Sequence, residues 1–221
     1  MRLASIICHY LTRNFTDDVA ATPRESLHMT ANTAEQAFWD DGYRVVEDLV
    51  TPEQCAFLRR AMDRSRDAGK MRVADHRAYR GPNNQYAPIP AQMFLGSLTA
   101  KMSALVGREL LPSFSFWRIY RQGDVLNRHK DRNACEVSVT ISLMPAGEDG
   151  SIWPISVTDF HGRSHSINLP LGSGLLYQGT EVDHWRDPLT IAEHYQMFLH
   201  YVAADGPFAA LVHDEGKALV P

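Results

Sequence analysis

The sequence predicts a mainly β domain, a sandwich or barrel of short strands braced by helices from the N-terminal part. Helix signals crowd the chain up to Gly107, and short β-rich runs separated by turns fill it from Ser113 onward. No alternation of strand and helix of the kind that builds a parallel sheet joins the two halves. At 221 residues, 44% of them hydrophobic, the chain is long enough for one domain with a sizeable core. The expected organisation is an N-terminal arm over residues 1–29 and a single domain over 30–221, with the β core at about 113–203.

The elements follow in order. Residues up to Met29 show no periodicity and scattered charge, which reads as an arm. Thr33 and Gln36 have capping-box spacing, so a short helix is expected over Ala34–Asp40, ending near Gly42. Tyr43–Glu47, with Val45 and Val46, reads as a strand. Thr51-Pro52-Glu53-Gln54 is a helix start with a Thr cap, Pro at the first position and Gln at the third. Phe57, Leu58, Ala61 and Met62 then recur at helical spacing as far as Ala68, before Gly69. Residues 70–95 hold Pro82, Pro88 and Pro90 without periodicity and are expected to form a loop able to cover a site. Within it, Asn83-Asn84-Gln85-Tyr86 reads equally as a substrate loop or a polar turn. Leu98, Met102 and Leu105 mark a further helix stopped by Gly107. Strands are expected at Phe114–Arg121, Cys135–Leu143, Ile152–Val157, Ser164–Leu169, Gly174–Tyr177 and Tyr195–Val202.

Charge and cysteine usage narrow the function classes. A net charge of -4, with no long Lys/Arg run, excludes a generic nucleic-acid or acidic-membrane binder. Cys8, Cys55 and Cys135 are too few and too scattered for a disulfide framework, which fits a reducing cytoplasm. The apolar run Ala4–Cys8 is too short for a signal-peptide core or a membrane span. A cytoplasmic protein is expected, with no membrane and no nucleic-acid partner.

The chemistry concentrates in the segment from Arg118 to Asp131. If the chain is extended at His129, then His129 and Asp131 project from one side, because strand side chains alternate. An imidazole and a carboxylate on one face supply two ligands of a facial triad, which leaves coordination positions open and suits non-haem Fe(II) with O2. The third ligand must be a later histidine. His184 qualifies, lying after the strand-like Gly174–Tyr177 and before Pro188. Alone, His129 and Asp131 also fit a hydrogen-bonded surface pair. His161 and His165 read as turn histidines entering a strand, His200 as a satisfied strand histidine, and Cys135 as a small buried residue. Trp185 reads as core or as cavity lining, and Arg186 as a partner for a substrate acid group or for Asp187 or Glu193.

Arg118-x-Tyr120-x-x-Gly123-x-x-Leu126-x-x-His129-x-Asp131, then Cys135–Leu143, then Gly174-Leu-Leu-Tyr177 leading to His184, resembles the Fe(II)/2-oxoglutarate-dependent oxygenase superfamily. The likeness is to its prolyl-hydroxylase-like and phytanoyl-hydroxylase-like branches. It spans about residues 33–203 and includes the Gly42-Tyr43 to Thr51-Pro52 region. It implies a double-stranded β-helix (a cupin-like jelly roll) behind supporting helices. It also implies Fe(II) and 2-oxoglutarate, the latter released as succinate and carbon dioxide, and hydroxylation of a C–H bond in a small organic substrate. Asp131 at the carboxylate position speaks against the related halogenases. The superfamily usually carries an Arg or Lys about ten residues after the distal His, to hold the distal carboxylate of 2-oxoglutarate. Here His194 falls there. A protonated His194 can hold a carboxylate conditionally, whereas arginine offers a permanent fork. Arg118 ranks close to His194, with Tyr120 on its face as a hydrogen-bond donor; Arg186 ranks third, and Lys130 is also within reach. Two rivals stand beside this reading: a cupin-type metal-dependent dioxygenase or isomerase without 2-oxoglutarate, supported by His194, and a non-catalytic β-sandwich binding module.

Overall fold

The computed structural model describes residues 35–73, 82–147 and 150–214; the expected arm at 1–29 lies outside them. Two antiparallel sheets face each other, and two long helices pack on the outer side of the larger one. The helices are α1 (residues 35–41), α2 (Pro52–Asp67) and α3 (Ile89–Val106). The strands are β1 (Tyr43–Val46), β2 (Arg72–Val73), β3 (Pro82–Tyr86), β4 (Leu110–Arg121), β5 (Leu126–His129), β6 (Val137–Ser142), β7 (Ile155–Thr158), β8 (Ser164–Ile167), β9 (Gly174–Tyr177), β10 (His184–Arg186) and β11 (Glu193–Ala203). The larger sheet runs β1-β9-β6-β11-β4-β3-β2 and the smaller one β5-β10-β7-β8. This is the jelly-roll arrangement expected of the double-stranded β-helix.

Alternation along β4 and β11 decides what faces what. Trp117, Ile119, Met197, Leu199 and Tyr201 point to the helices and are buried with Leu58 and Met62 of α2 and Leu95 and Met102 of α3. Each fully buried Leu or Met contributes on the order of 2 kcal/mol, so this outer layer anchors the large sheet. Arg118, Tyr120, Phe116 and Phe114 take the other face, opposite Gln196, His194, Phe198 and His200 of β11. That face looks toward the smaller sheet and carries the polar groups.

The helix ends are set locally. Thr51 Oγ1 accepts from the Gln54 amide at 3.3 Å, and Gln54 Oε1 accepts from the Thr51 amide at 2.9 Å, closing the expected capping box on α2. α3 ends at Gly107 with φ 65°, where a Cβ would also meet the Glu35 carboxylate.

The stretch 70–95 departs from its expectation. It supplies β2 and β3 to the large sheet, and α3 begins at Ile89 behind Pro88. Asn84 and Tyr86 face inward beside Arg118 and Phe116, while Gln85 turns outward and accepts from the Trp117 indole at 3.2 Å. With polar residues on both faces, β3 shows no alternation in sequence, and Pro82 is tolerated because it opens the strand. Strands β5 and β10, four and three residues long, are likewise absent from the expected set.

Candidate metal centre

His129 closes β5, and His184 opens β10, directly opposite it in the antiparallel pair. Cross-strand partners share a face at close range. Their rings stand 4.3 Å apart between centroids. Asp131 continues beyond β5 and is pinned by its amide, which donates to the Gly179 carbonyl at 2.8 Å. Its Oδ1 lies 3.4 Å from His129 Nε2 and 3.6 Å from His184 Nε2. The remaining atoms fix the donors' orientation. His129 Nδ1 donates to the Asn127 carbonyl at 2.8 Å and His184 Nδ1 to the Val182 carbonyl at 3.1 Å, so both Nε2 atoms present lone pairs. The Tyr177 hydroxyl donates to Asp131 Oδ2 at 3.1 Å, leaving Oδ1 toward the imidazoles.

The electrostatics keep this donor set ready for a cation. Burial works to raise the Asp131 carboxyl, but the imidazoles gathered around it, His184 first and then His129 and His200, outweigh it and hold it well below the usual carboxylate range. Burial pushes His184 down against the pull of Asp131, favouring the neutral imidazole that ligates. Two imidazole Nε2 atoms and one carboxylate oxygen, with the far side open to a cavity, fit a facial Fe(II) site by donor chemistry alone.

That cavity, about 330 Å³, lies between the sheets over the triad. Arg186 follows His184 on the same face of β10 and is buried at 3% exposure. Its Nη1 donates to the Trp153 carbonyl at 2.7 Å, and its guanidinium sits 4.6 Å from the Trp153 ring. Its Nη2 is buried without a hydrogen-bond partner among the described residues, although Arg186 lines the cavity. Burial lowers its pKa to about 10, which leaves it cationic at neutral pH. A buried guanidinium with a vacant donor is where an incoming carboxylate fits.

His194 offers something different. Its Nε2 lies 2.7 Å from Gln196 Oε1, its ring meets Trp153 edge-on, and it is absent from the cavity lining. Burial and the neighbouring Arg186 lower its pKa to about 3, so it is neutral. A second cation at His194 would stand beside the buried Arg186 guanidinium, which disfavours its protonation. Since His194 donates to Gln196, and Gln196 Nε2 donates to Thr140 Oγ1 at 2.7 Å, the Thr140 hydroxyl on the cavity wall keeps its own proton to donate. Arg118 also lines the cavity, and its Nη1 donates to the Tyr120 hydroxyl at 3.3 Å.

Other expectations resolve as follows. Trp185 faces out of the smaller sheet, with the Arg128 guanidinium 4.7 Å from its ring, and does not line the cavity. His165 sits on β8 and bonds Asp159 at 2.8 Å, while His161 lies in the turn before it. His200 is not satisfied: its Nε2 is buried without a partner among the described residues. Cys55 and Cys135 are free thiols, and burial raises both. Among the described residues no helix is long and apolar enough to cross a membrane. Sequence reasoning missed Thr140 and Tyr177. Only the register of β6 beside β11, and of β9 beside β6, brings them to the site.

No family model matches the chain. It is similar to a PKHD-type hydroxylase of Paracoccus denitrificans (strain Pd 1222), 25% identical over 174 residues, the match covering 69% of this chain and 74% of the relative. Among solved structures it resembles a Pseudomonas putida prolyl-4-hydroxylase, with a TM-score of 0.64, 15% identity, and coverage of 78% of this chain and 100% of that one. A Trichoplax adhaerens prolyl hydroxylase in complex with a hypoxia inducible factor peptide fragment gives a TM-score of 0.66 at 15% identity over 87% of this chain and 97% of that one. The non-heme α-ketoglutarate-dependent epimerase SnoN from nogalamycin biosynthesis gives 0.66 at 11% identity over 80% and 84%. At such identities the structural likeness establishes the fold.

Proposed function

We propose that this chain, which by fold and by sequence likeness stands with the Fe(II)/2-oxoglutarate-dependent oxygenases on their prolyl-hydroxylase-like side, is a hydroxylase of a small organic substrate. His129, Asp131 and His184 would hold Fe(II). Arg186, with the Thr140 hydroxyl, would hold the distal carboxylate of 2-oxoglutarate. The observation that carries the reading is the convergence of two Nε2 lone pairs and one carboxylate oxygen beside a buried guanidinium with a vacant donor.

Held by His129, Asp131 and His184, Fe(II) would supply the O2-dependent chemistry in which 2-oxoglutarate is decarboxylated to succinate and carbon dioxide and the second oxygen atom enters a substrate C–H bond. The chain's own part is positional. The backbone carbonyls of Asn127 and Val182 fix both imidazole tautomers, and Tyr177 orients the Asp131 carboxylate. Leu126, Ile155 and Phe198 give the cavity apolar lining, which would disfavour water there. Arg186 supplies a charge that burial strengthens. The cupin-type alternative draws its support from the missing Arg or Lys at His194, and a buried cation at Arg186, lining the cavity, counts against it.

The test is oxygen consumption and succinate release by the Fe(II)-loaded protein supplied with 2-oxoglutarate. Slow turnover without substrate is expected in the wild type, and Arg186→Met should raise the 2-oxoglutarate concentration needed by about a hundredfold. Succinate release independent of Arg186 would refute the placement, and none at any 2-oxoglutarate concentration would refute the reading.

A further inference from the structure

We infer that Asp131 serves two metal sites: the triad already described, and a second one, completed by Cys135 and His200, that takes a thiophilic divalent cation such as Zn(II). A carboxylate oxygen of Asp131, the Cys135 sulfur and a ring nitrogen of His200 all lie within 4.8 Å of one another. All three side chains line the cavity, so this site opens on the same space as the triad. Its residues come from separate elements. Cys135 ends a single 3-10 turn at Asn133–Cys135, ahead of β6, and His200 on β11 pairs across the sheet with Ser138 of β6.

His200 is set up as a ligand. Its Nδ1 lies 2.7 Å from Ser138 Oγ, and Ser138 directs its own proton to the Cys135 carbonyl at 3.1 Å. Ser138 therefore accepts, Nδ1 carries the ring proton, and Nε2 keeps a bare lone pair. The Asn127 and Val182 carbonyls impose the same tautomer on His129 and His184, and such a partner on the far nitrogen is what holds a metal-binding imidazole in place. His200 is only 2% exposed, and its Nε2 has no hydrogen-bond partner among the described residues, the neighbouring Cys135 thiol included. Stacking on Phe114, at 4.3 Å between centroids, fixes the ring plane. A buried acceptor left unpaired in this way calls for an electrophile from outside.

Asp131 and Cys135 complete the set. Oδ1 of Asp131 faces the triad imidazoles, which leaves Oδ2, and a carboxylate oxygen that accepts once, here from Tyr177, has a second lone pair to give. Oδ2 stands on the Cys135 side: a Cβ at Gly179 would be 3.1 Å from it and 2.1 Å from the Cys135 carbonyl oxygen. Cys135 is a free, buried thiol, whose proton leaves to water as the metal–sulfur bond forms. Carboxylate and thiolate then supply the negative charge that a buried dication requires. One sulfur, one imidazole nitrogen and one carboxylate oxygen, with a further position open to the cavity, are a three-ligand zinc set. Thiolate selects Zn(II) and Co(II) over Fe(II), which stands below both in affinity, so iron alone is expected to fill only the triad.

The test is anaerobic titration of the full, reduced, metal-free chain with Co(II), read by equilibrium dialysis and by absorption. The wild type should take two equivalents, one of them with the strong near-ultraviolet charge-transfer band of a thiolate bound to cobalt, and Zn(II) should remove that band. His184→Ala should lose the triad's equivalent and keep the band. Cys135→Ser and His200→Phe should keep the triad's equivalent and lose the band, with the second ion bound about tenfold or more weakly. Asp131→Ala should weaken both equivalents, and a Cys8→Ser, Cys55→Ser double variant should weaken neither. A single equivalent without the band, or a band that survives Cys135→Ser or His200→Phe, overturns the second site and leaves the triad standing. No bound cobalt in the wild type removes the proposed function as well.

Discussion

Arg186 and His194 are both buried against Trp153, yet they present opposite electrostatics to the site. Placing a carboxylate against Arg186 satisfies its vacant donor, whereas His194 would first have to be protonated beside that same arginine. The two assignments differ in pH dependence. A histidine clamp holds 2-oxoglutarate when protonated and loosens it as pH rises through its pKa, which at about 3 lies far below neutrality. An arginine clamp with a pKa of about 10 stays charged through neutrality and loosens only as pH nears that value. The Mn(II)-loaded protein is therefore expected to bind 2-oxoglutarate with constant affinity between about pH 7 and 8.5, and His194→Gln to change it by less than about threefold. A tenfold weakening over that range in the wild type, absent in His194→Gln, would return the clamp to His194. The imidazole's position after His184 was legible in the sequence. Its neutrality was not, because it depends on Arg186 and Gln196, which only the register of β11 and the burial of β10 bring beside it.

Among the elements, those with long, one-sided patterns were legible. α2 declares itself through its capping box and apolar face, and β4, β6 and β11 through runs of β-branched and aromatic residues. Strands β5 and β10, which carry both histidines, are too short to show alternation, and β3 is polar on both faces. The ligand positions could still be read because parity over His129 and Asp131 needs only three extended residues. What holds Asp131 in place lies elsewhere, in the turn after β9. A Cβ on Gly179 would come within 2.1 Å of the Cys135 carbonyl oxygen and 3.1 Å of Asp131 Oδ2. Gly179→Ala must therefore move the segment whose carbonyl anchors the Asp131 amide. Mn(II) affinity is expected to fall about 10- to 100-fold while the far-ultraviolet circular dichroism is retained. Unchanged affinity would show that this turn does not govern the carboxylate.

For the whole molecule, two sheets divide the labour. The larger one is anchored on its outer face by α2 and α3 and shows the cavity a polar and aromatic face, while the smaller one brings His129, His184 and Arg186 against it. In such a layout both histidines sit on paired strands, where geometry is set by backbone hydrogen bonds, while the opposing sheet supplies side chains to the far wall of the cavity. On the proposed function, variants of the triad are therefore expected to change metal binding without altering the opposing wall of the cavity. The most direct measurement is anaerobic equilibrium dialysis of the full chain against Fe(II), with iron counted per chain. The wild type should retain one equivalent, and His129→Ala, Asp131→Ala and His184→Ala should each lose it with the fold intact. Stoichiometric iron in any of those three folded variants, or none in the wild type, would contradict the account.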